Sequence, residues 1–388
     1  MSRRRRTPEA HRSACYLEPL SGARYPLHVP RWCADDGRPL MITPLRGIGR
    51  RRIARAERSI WRYAASLPWS IAEPISMGEG CTPLISHRWG KINALCKLEW
   101  FAPTGSFKDR GASVMLSVLR EQGVRAVLED SSGNGGAAIA AYASAGGLSS
   151  KILVPASTPA AKTVHMRVSG AEVEQVPGTR QDTADEAVRQ SSHIFYASHN
   201  WQPAFLQGTK TLAYELWEDL GYRAPDNVIV PLGAGSNVLG CSIGFGELLR
   251  AGAIDRMPRI FGVQPVNCAP IHASFVAGSD QLLPVEIKAT LAEGTAIARP
   301  IRLIQVLQAL RESAGATVAV TEEQITSACM ELAASGLYVE PTSATTAAAL
   351  SELLRQKAIS ARQRTVLVMT GTGIKATQRV SELLERRT

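Results

Sequence analysis

The 388-residue sequence predicts an α/β protein built on open, twisted, mostly parallel sheets. Three observations carry this expectation. From residue 90 onward, short apolar runs alternate with amphipathic stretches, the pattern of strand and crossover helix repeated along a chain. Loops rich in glycine and serine fall at the C-terminal ends of the predicted strands, the edge at which open α/β sheets bind ligands. A hydrophobic content of 45% beside 20% charged residues supplies the core of two domains or one large one.

The elements follow in order. KINALCKLEWF (91–101) predicts a strand, and SFKDRGASVMLSVLREQG (106–123) a helix. RAVLED (125–130) is the next strand, after which SSGNGG (131–136) turns into a helix of small residues. SSKILVPAS (149–157) and AEVEQVPG (171–178) are strands, and NWQPAFLQGTKTLAYELWEDLGY (200–222) is one helix with a glycine stop. DNVIVPLGAGSNVLGCSIGFGELLRAG (226–252) repeats strand, glycine loop and helix. RIFGVQPV, LYVEPTSATTAAALSELLRQ and TVLVMTGTGIKATQRVSELLERR complete the series. Residues 266–300, rich in Pro, Gly and Ala without a period, predict an irregular connection.

Charge is unevenly spread. Residues 1–63 hold 15 arginines against 5 acids, while the remaining chain balances 29 basic with 29 acidic residues. The cluster RGIGRRRIARAER (46–58) invites a nucleic-acid reading. No aromatic-interleaved platform, helix-turn-helix or zinc-finger spacing accompanies it, so a solvated, partly disordered basic arm is expected. No run approaches the roughly 20 apolar residues of a membrane span. The N-terminal MSRRRRTPEAHRS lacks the apolar stretch of a secretory signal. Seven scattered cysteines, an odd number, predict reduced thiols and a cytoplasmic protein.

Chemistry concentrates on Lys108, presented by PTGSFKDRG (103–111). A lysine at a helix start meets the positive end of the dipole, which with burial lowers an amine's pKa and frees it as nucleophile or base. The plainer reading is a surface lysine paired with Asp109. Context weighs against it. SSGNGG offers backbone N–H groups and Asn134 as an anion or ring-oxygen clamp, PLGAGSNVLG (231–240) offers a phosphate cradle at a helix start, and Thr370 ends the last strand with a hydroxyl. A reactive amine, a phosphate cradle and a polar group for a ring nitrogen together describe a pyridoxal 5'-phosphate (PLP) site. A dinucleotide fingerprint competes for the glycine loop, but its third glycine, Gly240, is displaced and no closing acid follows. Walker A is excluded because no GKS or GKT follows the loop.

Six separated motifs stand in one order: GEGCTPL (78–84), PTGSFKDRG, SSGNGGAA, GAGSN, EPTSA (340–344) and TGTG (370–373). In order and approximate spacing they resemble the threonine synthase group of the tryptophan-synthase-β-like PLP enzymes, fold type II, over residues from about 40 to 388. The resemblance implies two open α/β domains with the cofactor in the cleft between them. Residues 1–62 would form a basic, degenerate zinc-ribbon-like extension, 63–99 with 201–388 the large domain, and 100–200 the small one. Lys108 would hold the cofactor as a Schiff base and move protons on the substrate carbons. Asn134 would bond the cofactor's 3′ oxygen, Gly233, Ala234, Gly235, Ser236 and Asn237 its phosphate, and Thr370 would face its ring nitrogen. Ser106, Ser131, Ser132 and Asn134 are candidates for the substrate carboxylate. The implied activity is a carbon–oxygen lyase turning O-phosphohomoserine and water into threonine and phosphate. The implied partners are a small amino acid and a second copy of the chain as a homodimer, with neither nucleic acid nor membrane.

Two departures stand out. Where the family segment usually reads close to N-P-x-R-x-x-G-Q-K-T, with the arginine on the substrate's phosphate, this chain has Phe205. Losing a bidentate donor is not conservative. Lys210, Asn200 or His199 would have to compensate, or the leaving group differs; His199 otherwise reads as a satisfied loop histidine. The alternatives are therefore β-replacement or β-elimination on a related phospho- or acyl-serine or threonine, including threonine deamination, and then a nucleic-acid-binding protein on this scaffold. In the head, Cys15 and Cys33 are two thiolates where a structural zinc needs three or four ligands, so no metal is expected.

Overall fold

In the computed structural model, which describes residues 14–90 and 92–385, the elements run as follows. The arginine run at 3–6 lies outside the described residues. The chain opens with β1 (Cys15–Leu17), β2 (Arg24–Pro26) and β3 (Met41–Ile42), then β4 (Leu84–Trp89) and β5 (Ile92–Leu98). Next come α1 (Lys108–Glu121), β6 (Ala126–Glu129), α2 (Asn134–Ala145), β7 (Ser149–Pro155), α3 (Ala160–Val168), β8 (Glu172–Val176), α4 (Arg180–Gln190) and β9 (Phe195–Tyr196). Two helices, α5 (Pro203–Thr209) and α6 (Thr211–Asp219), precede β10 (Asn227–Pro231), α7 (Ser236–Arg250) and β11 (Arg259–Pro265). The remainder is α8 (Pro270–Val276), α9 (Leu303–Glu312), β12 (Ala316–Val320), α10 (Glu322–Ala334), α11 (Pro341–Arg355), β13 (Thr365–Met369) and α12 (Thr377–Glu385).

Two units result. Among the described residues, the first comprises 14–81 and 108–211, the second 82–107, apart from residue 91, and 212–385. The first contains a wholly parallel sheet in the order β8-β7-β6-β9 and a small antiparallel sheet in the order β2-β1-β3. The second contains six strands in the order β12-β11-β10-β13-β5-β4, parallel except for the β4–β5 edge pair. Strands β10 and β13 are buried along their whole length, which is why NVIVP and TVLVM read as continuous apolar runs without alternation.

Packing places the boundaries away from 62/63, 99/100 and 200/201. Ile60, Trp61, Leu67 and Ile75 share one core with Val114 and Met115 of α1 and Ile139 and Tyr142 of α2, so residues 63–81 belong with the first unit. The Phe107 amide donates to the Thr370 carbonyl (3.0 Å) and the Thr372 amide to Gly105 (3.2 Å), which keeps 100–107 with the second. Helix α5 lies on α1 so closely that a Cβ on Gly208 would stand 2.0 Å from the Arg110 carbonyl oxygen, which draws 201–211 into the first unit.

The head is a correction to the sequence expectation. From residue 14 it is not a solvated arm: Tyr16, Ala34, Leu40, Ile42 and Leu45 form a core of their own, with Trp69 packed against it. The arginines at 46, 50, 51, 52, 55 and 58 are exposed along its rim, while Ile48 and Ile53 between them are buried. Apolar residues threaded between charges tie the segment down.

The helix expected over 200–222 is two. Thr209 donates through its hydroxyl to Leu206 (3.1 Å) and Thr211 to Gly208 (2.6 Å), so side chains compete for the carbonyls at the junction. The connection at 266–300 is mostly irregular, as its composition indicates, but holds the short helix α8 begun by Pro270 and two 3-10 turns, Val266–Cys268 and Glu293–Thr295.

Candidate active site

Lys108 is the first residue of α1 and is half-buried. Its Nζ lies 5.7 Å from the centroid of the Phe205 ring, within cation–π range. Phe205 is fully buried near the start of α5, and its other neighbour is a histidine: the His199 and Phe205 rings are 5.8 Å apart at 60°. His199 is itself held by Glu129, the last residue of β6, which accepts from the His199 backbone N–H (3.0 Å) and sits 3.0 Å from Nδ1. Glu129 is entirely buried and the His199 side chain 8% exposed. Burial first, then the Lys108 charge, holds the His199 imidazole below its ordinary pKa, against the pull of Glu129.

Asp130 follows Glu129 and is likewise buried. Its oxygens accept from Tyr196 (2.8 Å) and Ser198 (3.2 Å), and Arg180 of α4 pairs with it at 2.7 Å. Burial, the largest single influence, would raise this carboxyl; Arg180, His199 and the hydrogen bonds from Tyr196 and Arg180 together outweigh it and keep Asp130 below the usual carboxylate range.

The SSGNGG loop leads from β6 into α2, whose first residue is Asn134. Ser131, Ser132 and Asn134 are half-buried at this strand edge, and the Ser131 hydroxyl accepts from the Gly133 amide (3.3 Å). The paired glycines are required. A Cβ on Gly135 would stand 2.6 Å from His199 Cε1, and one on Gly136 2.0 Å from the Ser131 carbonyl. The imidazole therefore presses on the turn beside Asn134. The first unit thus gathers Lys108, Asn134, His199 and Phe205.

Lys210 is not among them. It is fully buried, and its Nζ donates to the Ser66 carbonyl (2.8 Å) and to Gln207 Oε1 (2.7 Å). This removes it as the cation that would compensate for Phe205. Asn200 is half-buried in the loop after β9, its amide donating to Ser198 Oγ (3.3 Å).

In the second unit the glycine turn joins β10 to α7. Gly235, with φ of 96°, is the left-handed residue before the 15-residue helix that begins at Ser236. A Cβ there would meet Val306 Cγ2 at 2.3 Å, and one on Gly233 the Gly294 carbonyl at 3.0 Å. The first N–H groups of a long helix have no partner within it and carry its positive dipole end. Asn237 lies in that turn, 4% exposed, with its side-chain Oδ1 unpartnered. Gly233, Ala234, Gly235, Ser236 and Asn237 thus form a cradle of polar backbone fitted to a phosphate.

Thr370 ends β13 in the same unit, buried, its hydroxyl 3.0 Å from Ser343 Oγ and donating to Glu340 Oε1 at 3.2 Å. A carboxylate thus stands behind the hydroxyl expected at a ring nitrogen. EPTSA was visible in the sequence, yet its spacing to Thr370, some 30 residues on, carried no sign of contact. Ser106 bridges to Gly371 beside Thr370, and its buried Oγ makes no hydrogen bond among the described residues. An unsatisfied buried hydroxyl beside the residue after Thr370 is what a ligand would complete. These donors fit a phosphorylated pyridine in kind and number.

The comparisons agree in kind. A family profile described as "Pyridoxal-phosphate dependent enzyme" matches residues 75–371. The threonine synthase of Methanocaldococcus jannaschii is 34% identical over 337 residues, 84% of this chain and 83% of the relative. That of Synechocystis sp. is 36% identical over 325 residues, 81% and 82% of the two chains. Among solved structures, a fungal L-serine ammonia-lyase from Rhizomucor miehei aligns with a TM-score of 0.71 at 21% identity, over 81% of this chain and all of that one. The processed threonine deaminase isoform 2 of Solanum lycopersicum aligns with 0.68 at 23%, over 78% and 83%. At those identities the likeness speaks to the fold, which is that of the fold type II enzymes.

Proposed function

This chain belongs to the pyridoxal-phosphate dependent enzymes, and we propose that it is a lyase of the threonine synthase kind, turning O-phosphohomoserine and water into threonine and phosphate. Relatives above 30% identity over four-fifths of the chain support the reading. So does one structural observation: the left-handed Gly235 turn opens a 15-residue helix, the kind of helix start that holds a phosphate.

The bound cofactor supplies an electron-poor ring that takes up charge from the substrate's α-carbon. The chain's residues do the rest. Lys108 anchors the cofactor and carries protons to and from the substrate carbons. The turn at 233–237 grips the phosphate through backbone donors, and Asn134 orients the ring edge. Thr370 would be the residue beside the ring nitrogen, its hydroxyl held by Ser343 and Glu340. Ser106, Ser131, Ser132 and Asn134 receive the substrate carboxylate.

Phe205 favours a second reading, elimination or replacement on a serine or threonine derivative whose leaving group is not a phosphate. The deciding experiment incubates the cofactor-loaded protein with O-phosphohomoserine, O-phosphoserine, O-acetylserine, serine and threonine. Threonine and phosphate formed together from the first supports the proposal. Turnover of another substrate with none from O-phosphohomoserine would replace it by the second reading.

A further inference from the structure

The buried His199–Glu129 pair has no place in the proton chemistry assigned to Lys108, yet it shares the Phe205 ring with that amine. Resting on the water-adding reading above, we propose that His199 is a further catalytic residue, the base that takes the proton from the incoming water, and that Glu129 is its positioning residue.

The need for such a group follows from proton accounting. When water adds at Cβ, the new C–O bond forms from an oxygen lone pair, and the Cα–Cβ π electrons move to Cα. A proton must arrive at Cα, and Lys108, charged from its earlier abstraction, is the donor. It cannot at that moment also accept the proton leaving the water. The water's proton goes either to the phosphate just released or to a side-chain base within reach of the same small substrate, and the ratio of products in the His199 variants separates the two.

His199 has the properties of one. Glu129 engages Nδ1, which selects the tautomer with its lone pair on Nε2; Nε2 makes no hydrogen bond among the described residues. The ring packs against Gly135, the residue after Asn134, where a methyl group would not fit. The charged groups facing it are Lys108 from α1 and Glu129 and Asp130 from the end of β6, the last paired with Arg180 of α4. Water's proton passes to Nε2 and from there to solvent, so atoms and charge balance over the turnover.

The test compares wild-type, His199→Asn, His199→Gln and Glu129→Gln holoenzymes on O-phosphohomoserine, measuring phosphate, threonine and 2-oxobutyrate. If His199 activates water, both His199 variants release phosphate at a rate within a few-fold of wild type. Threonine per phosphate falls by about 100-fold or more, the range of a lost general base, and 2-oxobutyrate with ammonia makes up the difference. Nitrogen-15 spectra of the holoenzyme should show His199 as a neutral, Nδ1-protonated ring in wild type and a tautomer mixture in Glu129→Gln. An unchanged ratio of threonine to phosphate, including equal loss of both products in every variant, overturns the inference. A wild-type enzyme that makes no threonine overturns the proposed function instead, so the two failures are separable.

Discussion

A Cβ built on Gly111 would stand 2.4 Å from the Phe205 ring, so helices α1 and α5 meet with no space for a methyl group between them. The ring at the position where the resemblance leads one to expect an arginine is thereby also the wedge on which the Lys108 helix rests. Phe205→Ala should lower stability by about 3–5 kcal/mol, the usual range for emptying a buried phenylalanine site. Denaturant unfolding followed by fluorescence reads this directly. Phe205→Leu should cost less than half as much.

Lys108→Ala should abolish turnover and leave only loosely held cofactor. Borohydride reduction of the wild-type holoenzyme should fix the cofactor's mass on the peptide containing Lys108, and digestion followed by mass spectrometry should find no such peptide in the variant.

Gly235→Ala tests the phosphate cradle. At φ of 96° an alanine carries about 1–2 kcal/mol of left-handed strain, and its methyl would press on Val306. Cofactor retention through dialysis should fall at least tenfold, while the far-ultraviolet spectrum stays unchanged.

The Asp130–Arg180 pair makes a pH prediction. Asp130 has a folded-state pKa below its unfolded value. Its contribution is therefore present above the unfolded pKa and lost as pH falls through the folded one. Arg180→Met should weaken that lowering, leaving burial less opposed, and shift the acid-unfolding midpoint to higher pH. The loss near neutrality should be about 1–3 kcal/mol, less than for a fully buried pair because the Arg180 side chain is 35% exposed. Melting temperature against pH, compared with wild type, checks the sign.

Lys210→Met separates structure from binding. Removing the ammonium strands the Ser66 carbonyl and Gln207 Oε1 in the interior, at about 1–3 kcal/mol. Stability should drop while KM stays within twofold; a selective rise in KM would return Lys210 to the substrate.

By itself the sequence determined the alternation of strand and helix, the glycine loops and the lysine at a helix start, because period, turn chemistry and helix capping are local properties. Lys108, the 233–237 turn and the apolar runs of β10 and β13 were legible for that reason. Tertiary structure alone decided which distant side chains meet. Glu340 reaches Thr370, Glu129 holds His199, and Lys210, drawn from sequence as a substrate ligand, is spent on Ser66. It also turned the arginine-rich head from an arm into a packed segment, since whether Tyr16 or Leu40 finds a partner depends on the chain that closes over it. Such pairings arise from burial across long sequence separations, and no local pattern encodes which buried charge will be neutralised by which neighbour.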